Sequence, residues 1–226
     1  MTRYTIAVLC PVLARPHRVV LLVESVRAAS RVTGCRTVFV ATEGDTDEIA
    51  AIRQVEAGDV TLIVVPSEDE GYSRKINTGF AETTEPFVFM AADDLDFRPG
   101  CFERMLATHL ETGACVVGTN DGGHAGTASG DHSTHSLVCR EYGDCGLIDA
   151  PDSRLLLNPT YRHWFCDNEL VGTAKHRQTY AHAKDALVVH LHPNWKKADM
   201  DATYAKGQST IAEDRATFES RKRLWS

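Results

Sequence analysis

The chain has 226 residues, of which 43% are hydrophobic and 24% charged, and its formal net charge is −7. This is ordinary globular composition, enough for one α/β domain with a real core and short for two. The acidic balance disfavours nucleic acid as a bulk partner, because proteins that grip phosphates carry a basic surface, although a local basic patch is compatible with it.

Residues 4–10 form a short apolar run stopped by Pro11, which predicts a buried strand. The stretch Ile6–Ala14 is not read as a signal peptide: Pro11 breaks it, one Arg precedes it, and a helical pattern follows at once. From His17 to Ser30, Val19, Val20, Leu22, Val23 and Val26 recur at helical spacing, and Gly34 ends the pattern. Arg36–Val40 is a second β-branched run. Asp45 to Ala57 predicts a helix with Thr46 as a cap and Ile49, Ile52 and Val55 as its apolar side. Val60–Val65 is a third strand stopped by Pro66. Ser73–Glu82 is a short helix, Phe87–Met90 a fourth strand, and Pro99-Gly100 opens a helix over 102–112. Strand and helix alternate throughout this half, which predicts a parallel sheet with crossover helices and ligands beyond the carboxyl ends of its strands.

The second half is less regular. Val116–Gly118 and Ser136–Arg140 predict strands. Asp121–Asp131 is rich in Gly, Ser and Thr without periodicity and predicts a mobile loop. Asp167–His182 reads as helix, Ala186–Leu191 as strand, and the polar tail from Asp199 to Arg223 as helix. The seven cysteines are scattered and odd in number, with no C-x-x-C pair. A disulfide framework or a four-cysteine zinc site would show paired spacing, so reduced thiols in a cytoplasmic protein are expected. No run approaches the ~20 apolar residues of a membrane span.

The most informative stretch is Phe87–Gly100. Three carboxylates, Asp93, Asp94 and Asp96, follow an apolar strand within four positions. They repel one another and call for a cation or strong donors. Oxygen ligands of this kind suit Mg²⁺ or Mn²⁺, which bridge phosphate oxygens; the bland alternative is a solvated turn that caps a helix. The run resembles the D-x-D region of GT-A glycosyltransferases, in particular the family-2-like group, where a strand ends in acidic residues followed by a Pro-Gly turn. The literal D-x-D is Asp94-Leu95-Asp96, while Asp93-Asp94 is similar to a D-D variant. Ala92 stands where many members have the first Asp.

Other segments agree with that resemblance. Cys10–Pro16 is similar to the loop after the first strand, which lies against the nucleotide and would place Pro11 and Arg15 at the donor. Thr42–Asp47 is similar to the acidic turn after the second strand, which makes Glu43 a base-reading carboxylate or, equally, a helix-start carboxylate. Gly71–Gly79 resembles the helix before the acidic strand, whose Arg74, Lys75 and Asn77 would face the donor, with Arg74 or Lys75 reaching a diphosphate or remaining a solvated charge. Tyr161–Leu170 is similar to the acceptor-side segment. Asp167 and Glu169 are its candidates for a general base, with His163 and Trp164 as acceptor contacts; the structural alternatives are a capping Asp167 and a core Trp164. His190 and His192 fall on one face of a strand near its end, and the resemblance makes His190 the first and His192 the second choice as a metal ligand beside Asp94 and Asp96.

The expectation is therefore a single-domain α/β protein with a GT-A, Rossmann-like, mostly parallel sheet flanked by helices. Residues 1–115 would form the nucleotide-sugar half, 116–200 an irregular acceptor half, and 201–226 a helical tail. The implied function is metal-dependent transfer (Mn²⁺ or Mg²⁺) of a sugar from a nucleotide sugar, a UDP-sugar first, to a glycan, protein, lipid-linked or nucleobase acceptor. The mobile loop would close over the donor. The competing readings are a catalytically inactive sugar-nucleotide or glycan-binding module, a nucleotidyltransferase (ranked low because Cys10–Pro16 has no glycine) and metal-dependent hydrolysis by the Asp and His groups.

Overall fold

A computed structural model describes residues 5–30 and 33–226; Tyr4, where the first predicted strand begins, lies outside the described residues. The order is β1 (Ile6–Pro11), α1 (Pro16–Ala29), β2 (Cys35–Thr42), α2 (Thr46–Val55), β3 (Val60–Val65), α3 (Tyr72–Ala81), β4 (Phe87–Met90), β5 (Leu95–Phe97), α4 (Cys101–Thr112), β6 (Val116–Asn120), α5 (Ala125–Ser129), β7 (Ser136–Cys139), α6 (Arg140–Asp144), β8 (Gly146–Leu147), β9 (Ala150–Pro151), α7 (Cys166–His176), β10 (Tyr180–His190), α8 (Ala202–Ser209) and α9 (Ile211–Arg221).

Eight strands form one mixed sheet in the order β3-β2-β1-β4-β7-β6-β10-β5. Strands β3, β2, β1 and β4 run parallel, as do β6 and β10, whereas β7 is antiparallel to β4 and β6, and β5 to β10. Central strand β1 is buried on both faces, with Ile6, Ala7, Val8 and Leu9 at 0% exposure, which explains its unbroken apolar sequence. Its alternate side chains enter two cores. Ile6, Val8 and Cys10 pack with α1, α2 and α4; Ala7 and Leu9 pack with α3 and α7. Pro16 opens α1, where its missing N–H costs nothing. Gly100 and Gly113 bracket α4 in the left-handed conformation, the second closing it as glycine does best.

Several expectations need correction. Thr46 is the first helical residue of α2, and neither it nor Asp45 caps the helix through its side chain; Asp45 accepts instead from the Ala14 N–H at 2.6 Å. The stretch predicted as a mobile loop contains α5, held by Asp121, whose Oδ1 accepts from Gly123 N, His124 N and the Thr127 hydroxyl. The helix predicted to His182 stops at His176, because Gln178 turns the chain at φ +57° and an Ala-rich strand follows. Strand β5 was not foreseen; it is three residues long and lies at the sheet edge.

Candidate active site

The sheet order reverses between β1 and β4, the place where open α/β sheets form a crevice beyond their carboxyl ends. A cleft of about 810 Å³ opens there, walled by the β1–α1 loop, the turn after β4, the start of α7, the end of β10 and α8. Pro11, Arg15, Arg74, Lys75, Asp93, Asp94, His163, Trp164, Asp167, His190 and His192 all line it.

The acidic turn divides. Asp94 is 3% exposed. Its Oδ2 lies 3.3 Å from His190 Nε2 and accepts the Tyr204 hydroxyl at 2.8 Å, while its Oδ1 is buried with no hydrogen-bond partner. Burial alone would push this carboxyl up, but His190 and Tyr204 outweigh it and hold Asp94 well below the usual carboxylate range. An ionised, half-satisfied carboxylate beside an imidazole fits a hard divalent cation in donor type and charge. Asp93 instead pairs with Arg15 at 2.9 Å; burial and the neighbouring Asp94 charge push its pKa up. Asp96 leaves the cleft altogether. On β5 it faces Ser25 and pairs with Arg98 at 3.1 Å, so Asp94 and Asp96 do not form a shared ligand pair.

The two strand-end histidines also differ. His192 Nδ1 accepts from the Asn194 N–H at 3.2 Å, which leaves Nε2 as the protonated nitrogen of the neutral ring. Burial and the His190 charge lower its pKa to about 4. Of the two, His190 is the one whose Nε2 faces Asp94. Behind it stands His135, missed in the sequence. Its Nδ1 lies 3.1 Å from the Met90 carbonyl and its Nε2 is buried without a partner; its ring meets His190 edge-on at 5.0 Å.

Among the cations that line the cleft, Lys75 is 1% exposed and donates to the Val12 carbonyl at 2.7 Å. Burial lowers its pKa to about 8 against the charges of Asp45, Glu70 and Glu48. Glu48, also unforeseen, accepts from the Arg15 N–H. Lys75, Asp45 and Glu48 thus shape the β1–α1 loop from beneath. Arg74 sits at the rim, with Asp69 at 3.2 Å. Glu43 is exposed and does not line the cleft, but Ser67, which does, donates to it at 3.4 Å. Asn77 is structural: its side chain bonds the backbone of Leu156 and Leu157.

The wall of the cleft that leads into α7 is a strained turn. Phe165 precedes α7 at φ +65°, a conformation that costs a non-glycine residue about 1–3 kcal/mol. Asp214 of α9 holds it by accepting from the N–H groups of Arg162, His163 and Trp164 at 2.8–2.9 Å, and Phe218 stacks on Phe165. The turn aims Asp167 at the cleft, where its Oδ2 lies 3.1 Å from His132 Nε2. Trp164 is fixed by its Nε1–H on the Gly207 carbonyl at 2.7 Å. Glu169 points the other way. It forms a bidentate pair with Arg221 and accepts from the Tyr161 hydroxyl, so the acid two positions on is a structural anchor for the tail.

The tail supplies contacts that the sequence did not disclose. Arg15 is clamped by Asp93 on one side and by both oxygens of Asp201 on the other, with Tyr204 against its guanidinium at 3.7 Å. No local pattern marks Asp201 or Tyr204, because α8 reads as an ordinary polar helix.

Residues 8–171, well over half of the chain, match the sequence profile of glycosyl transferase family 2. Among curated proteins, none matches the chain. Three solved structures share its fold. The mannosyltransferase PcManGT from Pyrobaculum calidifontis, in complex with GDP-Man and Mn²⁺, has a TM-score of 0.61 at 11% identity, over 84% of this chain and 57% of its own. Glucosyl-3-phosphoglycerate synthase from Mycobacterium tuberculosis, in complex with Mn²⁺, UDP-glucose and phosphoglyceric acid, has 0.60 at 16% identity, over 97% and 80%. S. aureus TarS has 0.62 at 11% identity, over 95% and 43%. The chain thus spans less than two thirds of the first and the third. At these identities the structures speak to fold alone, and they agree with the sheet described above. On the family match, the chain belongs to glycosyl transferase family 2.

Proposed function

We propose that this chain is a metal-dependent glycosyltransferase that moves a sugar from a UDP-sugar to an acceptor nucleophile. The observation that carries the reading is Asp94: a buried carboxylate with one unpartnered oxygen, 3.3 Å from His190, at the sheet switch point and on the same cleft as Asp167. The mannosyltransferase and the synthase were both solved with Mn²⁺ and a nucleotide sugar, which supports Mn²⁺ ahead of Mg²⁺.

Asp94 and His190 would hold the ion, which supplies positive charge to the diphosphate oxygens. Arg74, at the rim, would meet the outer phosphate. The β1–α1 loop, shaped by Lys75 and Glu48, receives the nucleoside. Asp167 takes the acceptor proton as the acceptor oxygen bonds to the sugar carbon and the bond from that carbon to the diphosphate oxygen breaks. The free cysteines suit a reducing compartment such as the cytoplasm, and among the described residues no helix is long and apolar enough to cross a membrane.

The test is nucleoside diphosphate release from a panel of UDP-, GDP- and TDP-sugars with Mn²⁺, using Asp94→Ala as control. Metal-dependent release from a UDP-sugar, lost in the variant, supports the reading. Absence of release and of any shift in melting temperature with every donor overturns it.

A further inference from the structure

Asp167 is not alone at the acceptor wall. His132 Nε2 lies 3.1 Å from its Oδ2, and its Oδ1 accepts from the Asn168 N–H at 2.9 Å. The two side chains are 15% and 19% exposed, so their contact is shielded from water without being sealed. Asp167 lines the cleft and His132 does not, which puts the imidazole behind the carboxylate, on the side away from any acceptor.

His132 is itself held in place. Its N–H donates to the Gly126 carbonyl, and the His124 ring meets it edge-on at 5.5 Å. The whole 121–135 segment is pinned through Asp121. Lys175 of α7 fastens the same segment by donating to the Asp131 carbonyl at 2.7 Å. A segment ordered by its own internal bonds and fastened to α7 by Lys175 delivers one imidazole nitrogen to one carboxylate oxygen.

We propose that His132 is a positioning residue for transfer, orienting Asp167 toward the acceptor through the Nε2–Oδ2 contact and modulating its strength as a base. This deepens the transferase reading and rests on it. An ionised carboxylate that accepts from a fixed donor keeps one oxygen committed and presents the rest of its lone pairs in a set direction, as the orienting partner of a catalytic base does. The proton taken from the acceptor hydroxyl ends on Asp167; His132 forms no bond to substrate.

Charge gives the contact a signature. Burial pulls the His132 pKa down, but the hydrogen bond and charge of Asp167, with Asp121 adding to them, outweigh it and place it above the ordinary value; Lys175 opposes. Burial would likewise raise Asp167, and His132 holds it below the ordinary carboxylate range. The groups that face His132 are thus Asp167 and Lys175 from α7, His124 at the cap of α5 and Asp121 from the turn after β6. As pH rises and His132 loses its proton, the positive charge beside Asp167 disappears and the carboxylate becomes a stronger base, so turnover should rise through that titration.

The test uses the full chain in two arms. Histidine-selective NMR titrates wild type and Asp167→Asn, with the His132 resonance identified by its loss in His132→Gln. The expected result is a titration above the ordinary histidine value that falls by about one unit or more in Asp167→Asn; a resonance indifferent to Asp167→Asn overturns the proposal. In the second arm, UDP-sugar hydrolysis with water as acceptor is followed from pH 5.5 to 8.5 with Mn²⁺. His132→Ala should lower kcat by about 10- to 100-fold with UDP affinity within about twofold, and His132→Gln, which keeps a donor at the same reach, should recover most of it without the pH-dependent rise. Wild-type kcat and pH profile in His132→Ala overturn the proposal. If wild type hydrolyses no donor and no donor shifts its melting temperature, the transferase reading falls, and the NMR arm decides the His132–Asp167 contact by itself.

Discussion

The Tyr204 hydroxyl donates to Oδ2 of Asp94 at 2.8 Å, joining residues 110 positions apart. The same hydroxyl reaches the Leu191 carbonyl at 3.0 Å, so it ties the acidic turn to the end of β10, where His190 sits. With Oδ2 held, Oδ1 is the oxygen free to meet a cation. Tyr204→Phe should therefore weaken Mn²⁺-dependent UDP binding by about tenfold, the loss typical of an outer partner of a metal ligand. Isothermal titration with and without Mn²⁺ reads this directly, and unchanged affinity would remove Tyr204 from the site.

Asp94 and Asp96 should separate cleanly. Asp94→Asn is expected to lower UDP-sugar turnover by about 10² to 10³-fold, and chelation of Mn²⁺ should do the same to wild type. Asp96→Asn, whose carboxylate faces Ser25 and Arg98, should stay within about threefold. Equal losses in both variants would mean that the literal D-x-D binds metal after all.

Glu169 and Arg221 should behave as a stability pair. Arg221→Ala leaves a 7%-exposed carboxylate without its guanidinium. Breaking such a pair costs about 3 kcal/mol, which for a chain of this size is about 6–12 °C in Tm. Turnover per folded molecule at 20 °C should change little, because Glu169 does not line the cleft. Calorimetry and kinetics on one sample check both halves, and intact Tm with lost turnover would return Glu169 to the chemistry.

Glu48 predicts a pH dependence of stability. Burial pushes its carboxyl to about 7, above the ~4.5 of an exposed glutamate. The folded chain therefore holds this proton more tightly than the unfolded chain. The contribution is full below about pH 4.5 and is lost as pH rises through 7, by on the order of 3 kcal/mol. Glu48→Gln should be more stable than wild type at pH 8, with the gap closing at pH 5. Denaturant midpoints at the two pH values decide it, and a constant gap would refute the raised pKa.

The parallel half of the fold was legible because its strands obey one rule. β1, β2 and β3 are apolar or β-branched runs, the first and third stopped by Pro11 and Pro66 and the second preceded by Gly34, and the helices between them carry a one-sided apolar stripe. The ends of β1 and β4 located the cleft, and the family resemblance then named Pro11, Arg15, Asp93, Asp94 and His190 around it. What local pattern does not carry is direction after a turn. Asp96 follows Asp94 by two positions, yet the chain reverses into β5 and takes its carboxylate out of the cleft. Glu169 and Asn77 lie on helices that do line the site, but on faces turned toward Arg221 and Leu157. His132 and Tyr204 were invisible for the opposite reason: each sits in a polar segment with no periodic signal and reaches its partner only through tertiary packing.

Arg15 joins its own loop to three other pieces of the chain: α2 through Glu48, the acidic turn through Asp93, and the tail through Asp201 and Tyr204. Such a residue is a point of historical lock-in. Once a cation is buried among two carboxylates and an aromatic ring, no one of the four can drift without stranding a charge. Relatives that keep this architecture should show positions 15, 93 and 201 changing together or not at all. A chimaera that borrows its tail from a relative should assemble the cleft only when it inherits the matching loop.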